Sequence, residues 1–525
     1  MTDPLRPTTR SARRTAGGTS AQPPRAGLIG GVRRAPIIFA IAGLLVAGGL
    51  ADRSGSSPST TPAGAVLPQV PVAAPLGALS SSWFCAGATD NANGPAPGSV
   101  VVANTTARPL TATVALVADQ GPGSTSTISI APLSRVAVPE SLPGSPQWVG
   151  ANVTLNGGAA AVEQEVRGPL GTSSSPCATS GSRTWYFTNG RTAINASDEI
   201  TLLNPYPTES VVDLSFTTDQ GLEAPGEFQA LVVPASGMIS VDLGSHLRRR
   251  ARIATVVTAR TGRVVAWQTE VVNQVPIGAA VIGPNGPPPG AIDPAFPVPG
   301  VTLSLGSPSA ATSWTWPDGV AGNGIDEQYV IFNPGPGTAQ LRLALNLDQG
   351  SATPFTLTLG PEEVTAVISD QEARVPAGVT HSAVLRSVNG VAVVAERVVA
   401  AASPSQRSGR GDLPGERLAS RAWMFPGGVA NSTTEEHLVL FNPANRPLSA
   451  TVAALAGGTP MPISGLQAVT VGPGARADIR INDHAANLDA ALIVQASAAL
   501  FIERDLYGAA KQTGYDLSAG VPLGL

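Results

Sequence analysis

Short runs of alternating apolar and polar residues cover most of the chain. "LTATVAL" (110–116), "SVVDLSF" (210–216), "AQLRLAL" (339–345) and "LSATVAA" (448–454) place side chains with the period of two that belongs to β-strands. Each is preceded by an apolar run ending in Asn: "VVVAN" at Asn104, "ITLLN" at Asn204, "YVIFN" at Asn333 and "LVLFN" at Asn442. A Trp-led motif stands further upstream each time: "WFCAG" at Trp83, "WYFTNG" at Trp185, "WTWPDG" at Trp314 and "WMFPGG" at Trp423. An apolar run closing on Glu follows, at Glu165, Glu270, Glu396 and Glu503. Trp-to-Asn spacings are 21, 19, 19 and 19 residues, and Asn-to-Glu spacings are 61, 66, 63 and 61. Two spacings held across four copies define an internal repeat of about ninety residues.

Each repeat is rich in Val, Thr, Ile and Leu and is interrupted by Asn-Pro, Pro-Gly and Asp-Gln-Gly turns. This pattern predicts an all-β chain of four tandem Ig-like, β-sandwich-type repeats. A four-bladed propeller is the alternative, but its blades need only about forty to fifty residues. The expected units are 83–182, 183–273, 314–400 and 423–525, joined by linkers at 52–82, 274–313 and 401–422. The linkers are rich in Ser, Pro and Gly, and some of their residues are expected to add edge strands.

The N-terminus differs. Residues 1–34 carry seven Arg against the single acid Asp3, and residues 35–51 carry no charge. Such a run is the short end of what spans a bilayer as a helix. Arginines on its N-terminal side keep residues 1–34 cytoplasmic and send the rest outward. A single transmembrane signal anchor is therefore expected at 35–51. A cleaved signal peptide would give the same compartment, and a buried core helix is the third reading. The localisation that follows is the plasma membrane, single-pass, with the bulk of the chain extracytoplasmic. Cys85 and Cys177 are the only cysteines, and in an exported chain the pair reads as a disulfide, with two free thiols as the alternative.

Charged residues make up 13 % of the chain, net charge is −4 and mean hydropathy is +0.14. Lys511 is the only lysine. A mildly acidic body argues against a nucleic-acid partner. Histidines 246, 381, 437 and 484 lie at unrelated repeat positions, and His437 is expected to face solvent. No zinc, phosphate-loop or nucleophile-elbow signature occurs, so no metal, cofactor or catalytic residue is assigned. The repeated Glu residues are expected as structural carboxylates in separate units, tens of ångströms apart. The repeated Trp residues are expected as core plugs, with a sugar platform as the rival reading. Trp148 and Trp316 lie off the shared position and are the better candidates for ligand-contacting aromatics. Arg-Gly-Asp at 410–412 falls in an expected linker and carries no ligand reading.

The Arg-rich start, the single apolar segment, "WFC", the repeated Trp motif, the "NP" steps and "ER" near each repeat's end together resemble a family of actinobacterial, membrane-anchored exported proteins of unknown function. The resemblance covers residues 83–525 and implies an envelope-associated β-rich protein with no active site to carry over. The first repeat departs from it, lacking Pro after Asn104 and carrying both cysteines. The expected role is a non-enzymatic envelope scaffold or binding protein, with cell-wall glycan or envelope proteins as partners. A glycan-binding accessory protein of wall or polysaccharide assembly is the alternative, and a secreted hydrolase is the third reading.

Overall fold

A computed structural model describes residues 70–90, 95–144, 146–193, 195–273, 298–509 and 512–524. The expected helix at 35–51, the segments on either side of it up to residue 69, and residues 274–297 lie outside the described residues. The described residues are all-β: they contain strands and four single-turn 3-10 helices. None of their helices is long and apolar enough to cross a membrane.

The first eight strands are β1 (Ser81–Thr89), β2 (Gly98–Asn104), β3 (Leu110–Ala118), β4 (Ser124–Ile130), β5 (Ser134–Pro139), β6 (Trp148–Leu155), β7 (Ala160–Gly168) and β8 (Gly171–Pro176). They pair as two antiparallel sheets, an outer one ordered β1-β6-β3-β4 and an inner one ordered β5-β2-β7-β8. In β3 the alternation read from sequence is realised, with Leu110, Ala112 and Val114 buried and Thr111 and Thr113 exposed. Strand β7 is buried from Ala160 to Val166, so both of its faces are covered.

The same two pairing orders recur in residues 184–305 and 313–414. They recur again in 420–522, where the sixth and seventh strands are one continuous strand, Ala491–Gly508. The eighth strand of each unit closes its inner sheet: β8, Gly300–Leu305, Gly409–Pro414 and Tyr515–Ala519. Two of these closing strands lie inside the segments expected as the linkers 274–313 and 401–422. Their sequences, "GVTLSL" and "GRGDLP", are short and mostly small or polar, which is why they read as linker.

The units form a closed ring. The closing strands pack in a cycle: β8 on Gly300–Leu305, that strand on Gly409–Pro414, that on Tyr515–Ala519, and the last on β8 again. The Trp-bearing strand of each unit lies on the inner sheet of the next: β1 on Val265–Val272, Thr184–Gly190 on Val394–Ala401, Ser313–Trp316 on Ala491–Gly508, and Ser420–Phe425 on β7. The arrangement round an axis is that of propeller blades, but each unit is a two-sheet sandwich. Approach at the axis is close enough that a Cβ on Gly411 would lie 2.5 Å from the Tyr515 carbonyl oxygen. Residues 73–74 complete the ring. Ala73 donates its N–H to Pro522 O at 2.9 Å, and Ala74 O accepts from Ala159 at 2.7 Å. Cys85 and Cys177 form a buried disulfide joining β1 to the residue just after β8.

Candidate functional site

The four repeated Asn side chains are fully buried and bonded alike. Each amide donates to the carbonyl four residues on, Arg108, Thr208, Gly337 or Arg446, at 2.8 Å. Each amide oxygen accepts from the N–H two residues on, at 2.8 to 3.1 Å. Asn is required because one side chain must both donate and accept within the turn. The repeated Trp residues are buried too, between 0 and 2 % exposed. The indoles of Trp185, Trp314 and Trp423 donate to Val264, Val393 and Leu500 at 2.8, 2.9 and 3.2 Å.

The repeated Glu residues separate. By strand register Glu165 lies opposite Ser99, Glu270 opposite Asp198, Glu396 opposite Val330 and Glu503 opposite Val439. These positions are five, six, three and three residues before the Asn, so the four are not equivalent. The spacing alone hides this: the first and fourth units share 61 residues from Asn to Glu yet differ in register. Glu163, which the sequence reading passed over, occupies the slot of Glu396 and Glu503; in the second unit that slot holds Trp267.

Glu163, Glu270, Glu396 and Glu503 are not isolated within their units as expected, but sit at the seams. Glu396 accepts from Thr188 Oγ1 of the preceding unit at 2.7 Å. Glu503 accepts from the Asp318 N–H at 3.3 Å and pairs with Arg397, both across a seam. Glu163 accepts from Arg504 Nη2 at 2.7 Å across the seam between last and first units. There Arg504 also donates to Ser174 Oγ at 2.8 Å, while the Ser174 N–H donates to Asp516 at 2.8 Å. Arg476 pairs with Asp318 at 2.9 Å. Glu270 pairs with Arg410 at 3.3 Å, and Ser304 donates to Asp412 at 2.9 Å. The Arg-Gly-Asp triplet is thus a buried closing strand. Glu165 meets Arg167 of its own strand.

Burial pushes the Asp516 and Glu503 carboxyls up to about 7, with Arg504 and Arg397 respectively pulling the other way. Burial would also raise Asp318, but Arg476 and Arg397 hold it well below the usual carboxylate range. The guanidinium–carboxylate contacts make the axis a network of buried pairs that fixes which faces meet. His381 is fully buried against Tyr329 and Glu327, each at 3.0 Å. His437, expected at the surface, is only 8 % exposed and bonds Asp478 at 2.8 Å. Trp316 and Trp148, expected as exposed aromatics, are 0 and 5 % exposed. Trp316 is buried because the end of the closing strand Gly409–Pro414 covers it: the indole N–H donates to Leu413 O at 3.1 Å, and a Cβ on Gly415 would lie 2.8 Å from the ring.

At one end of the axis the closing strands leave a mouth of about 100 Å³, lined by residues of all four units. Its wall carries Pro71, Pro176, Pro308, Pro414 and Pro522, together with Glu416 and Arg417. Burial holds the Glu416 carboxyl well above its ordinary range. A space of this size takes a small apolar group or a few waters.

The model of a family of unknown function (DUF5719) matches residues 150–423. No curated protein matches the chain. Among solved structures, the Thermotoga maritima protein 1070 is similar at 20 % identity over 21 % of this chain and 96 % of its own, with a TM-score of 0.19. A Bifidobacterium adolescentis protein of glycoside hydrolase family 32 is similar at 10 % identity over 83 % and 100 %, TM-score 0.12. A tetra-tandem repeat from the extending region of a large adhesion protein is similar at 11 % over 84 % and 99 %, TM-score 0.10. Scores this low carry no argument about fold or function.

Proposed function

We propose, for a chain that belongs to the DUF5719 family of unknown function, a non-enzymatic role as a cell-envelope scaffold or binding protein held outside the cytoplasm by an anchor at residues 35–51. Four copies of one eight-stranded sandwich form its body, and the axial mouth is the surface that meets a wall polymer or envelope protein. One observation carries this reading. The residues repeated along the chain are consumed in turns, cores and seams, so what repetition conserves within the molecule is the ring itself. The buried disulfide supports an oxidising compartment. A proline-rimmed mouth with Glu416 and Arg417 on its wall supports recognition of a partner surface.

Two measurements on the full chain test it. Protease added to intact spheroplasts is expected to remove the body while sparing residues 1–34; a body protected until lysis sinks the topology. Full chain in mild detergent is expected to be retained saturably by envelope fractions. Ala519→Trp or Leu418→Asp, at half-buried positions of the mouth, should then cut retention about tenfold or more without lowering the melting temperature. Unchanged retention in both variants overturns the mouth as the contact surface.

A further inference from the structure

A cleft of about 690 Å³ lies in the second unit and shares no residue with the mouth. Three segments meet there: residues 181–183, the turn 206–208 after Asn204, and the turn Gly262–Arg263 between strands Ile253–Thr261 and Val265–Val272. Arg183, Arg263, Tyr206 and Thr208 line it, and no Asp or Glu is among its lining residues. Both Arg residues are exposed. Among the described residues neither guanidinium is in an ion pair, whereas Arg260, three residues before Arg263, is paired with Asp213. In a chain of net charge −4, two uncompensated cations on one wall stand out as a place for an anion.

Comparison of the units supplies a second, independent observation. The residue before the one opposite the repeated Asn is Ala159, Arg263, Ala392 and Ala499 in turn. The residue two after that Asn is Thr106, Tyr206, Gly335 and Ala444. The sandwich thus folds three times with small residues where the second unit alone sets a guanidinium 5.4 Å from the centre of a Tyr ring. Both groups are held in place. The Tyr206 N–H donates to Asn204 Oδ1 at 3.0 Å, its carbonyl accepts the Ser236 N–H at 2.9 Å, and its hydroxyl accepts the Gly181 N–H at 3.0 Å. The hydroxyl keeps its own proton for donation, and the cation–π contact steadies Arg263 over the ring.

We propose that this cleft binds a phosphate monoester. Two guanidiniums on a wall without a carboxylate match a doubly charged group, and the Arg fork fits phosphate oxygens in pairs. The hydroxyls of Tyr206 and Thr208 donate to the oxygens that remain. A carboxylate, with one charge and two oxygens, would leave one Arg and the hydroxyls unmatched. The cleft is far larger than an inorganic ion and lies in the range that encloses a small organic ligand, so the phosphate is one end of a larger molecule.

Calorimetric titration of the full chain at pH 8, where a phosphate monoester is doubly charged, with phenyl phosphate, inorganic phosphate and benzoate tests the assignment. Phenyl phosphate should bind at least about tenfold more tightly than benzoate and several-fold more tightly than inorganic phosphate. R183Q and R263Q, both at exposed positions, should each lose about tenfold or more in affinity while melting as the parent does. R260Q removes a guanidinium of the same strand that Asp213 already holds, and it should bind as the parent does. Equal binding of benzoate or of inorganic phosphate, no saturable binding of phenyl phosphate, unchanged affinity in both R183Q and R263Q, or an equal loss in R260Q would each overturn the proposal. Since the mouth variants leave this cleft untouched, its failure and that of the mouth are separable.

Discussion

At the residue scale, one slot in the inner sheet shows how the units vary a shared device. Six residues before the repeated Asn stands a fully buried acid in three units: Asp198, Glu327 and Glu436. The first unit has Gly98 there, and Glu140 reaches in from outside β5 to replace the missing carboxylate; a Cβ on Gly98 would lie 2.5 Å from its Oε2. Diagonally across from this slot, the register position opposite the fourth residue before the Asn holds Gln164, Gln268, Arg397 and Arg504 in turn. Where the partner is a neutral amide, burial goes uncompensated. Gln164 Nε2 donates to both Glu140 oxygens, at 2.9 and 2.8 Å, yet burial still pushes that carboxyl from 4.5 up to about 8. A folded-state pKa above the unfolded one means that the folded protein binds the extra proton. The stability is present in full below about pH 4.5 and is lost as pH rises through about 8. The denaturant midpoint is therefore expected to fall between pH 5 and pH 8.5, and Glu140→Gln should flatten part of that fall. Parallel curves for parent and variant would show that Glu140 does not titrate in this window.

At the element scale, legibility followed hydrophobicity. The strands ending in Asn and those alternating after them announced themselves, because their burial is provided by apolar side chains within one unit. The closing strands "GTSSSP", "GVTLSL", "GRGDLP" and "YDLSA" did not. They are buried by other units, and Ser, Thr and Asp satisfy one another across the axis, as where the Leu303 N–H donates to Ser173 Oγ at 3.0 Å. A pattern reader sees only a polar, Gly-started, Pro-ended stretch, which in most chains is a loop. Glu163 escaped, and Trp148 and Trp316 were expected exposed, for a similar reason: register and burial depend on hairpin lengths and neighbouring units, not on local period. The closing strands depend on small residues at their contact. Gly411→Val is expected to force Gly409–Pro414 away from Tyr515, at a cost of about 1–3 kcal/mol. It should also speed proteolytic cleavage in the closing strands. Unaltered stability and cleavage would show that the axis has slack that the close contact at Gly411 denies.

At the scale of the whole molecule, neither a rod nor two separate pairs describes the units. Every one has two neighbours, and charge pairs hold three of the four seams, while Ser and Thr hydrogen bonds hold the one between the first and second units. A ring fixes the number of units, since a fifth would have no seam to enter. It also brings residue 73 beside residue 523 in a parallel bridge. Residues 524 and 70 are thus only a few residues' reach apart, about 10–15 Å at strand rise. A circular permutant joining them by a short Gly-Ser linker, with new ends placed between residues 273 and 298, should fold and melt within a few degrees of the parent. Failure to fold would mean that chain order, rather than seam chemistry, assembles the ring.

That bridge also has a mechanical reading. A load drawn through residue 70 falls first on the Ala73–Pro522 and Ala74–Ala159 hydrogen bonds, before any sandwich bears tension. Behind this latch the seam between last and first units is still held by Arg504 and Glu163, and the Cys85–Cys177 bond ties β1 to the end of β8 within the first sandwich.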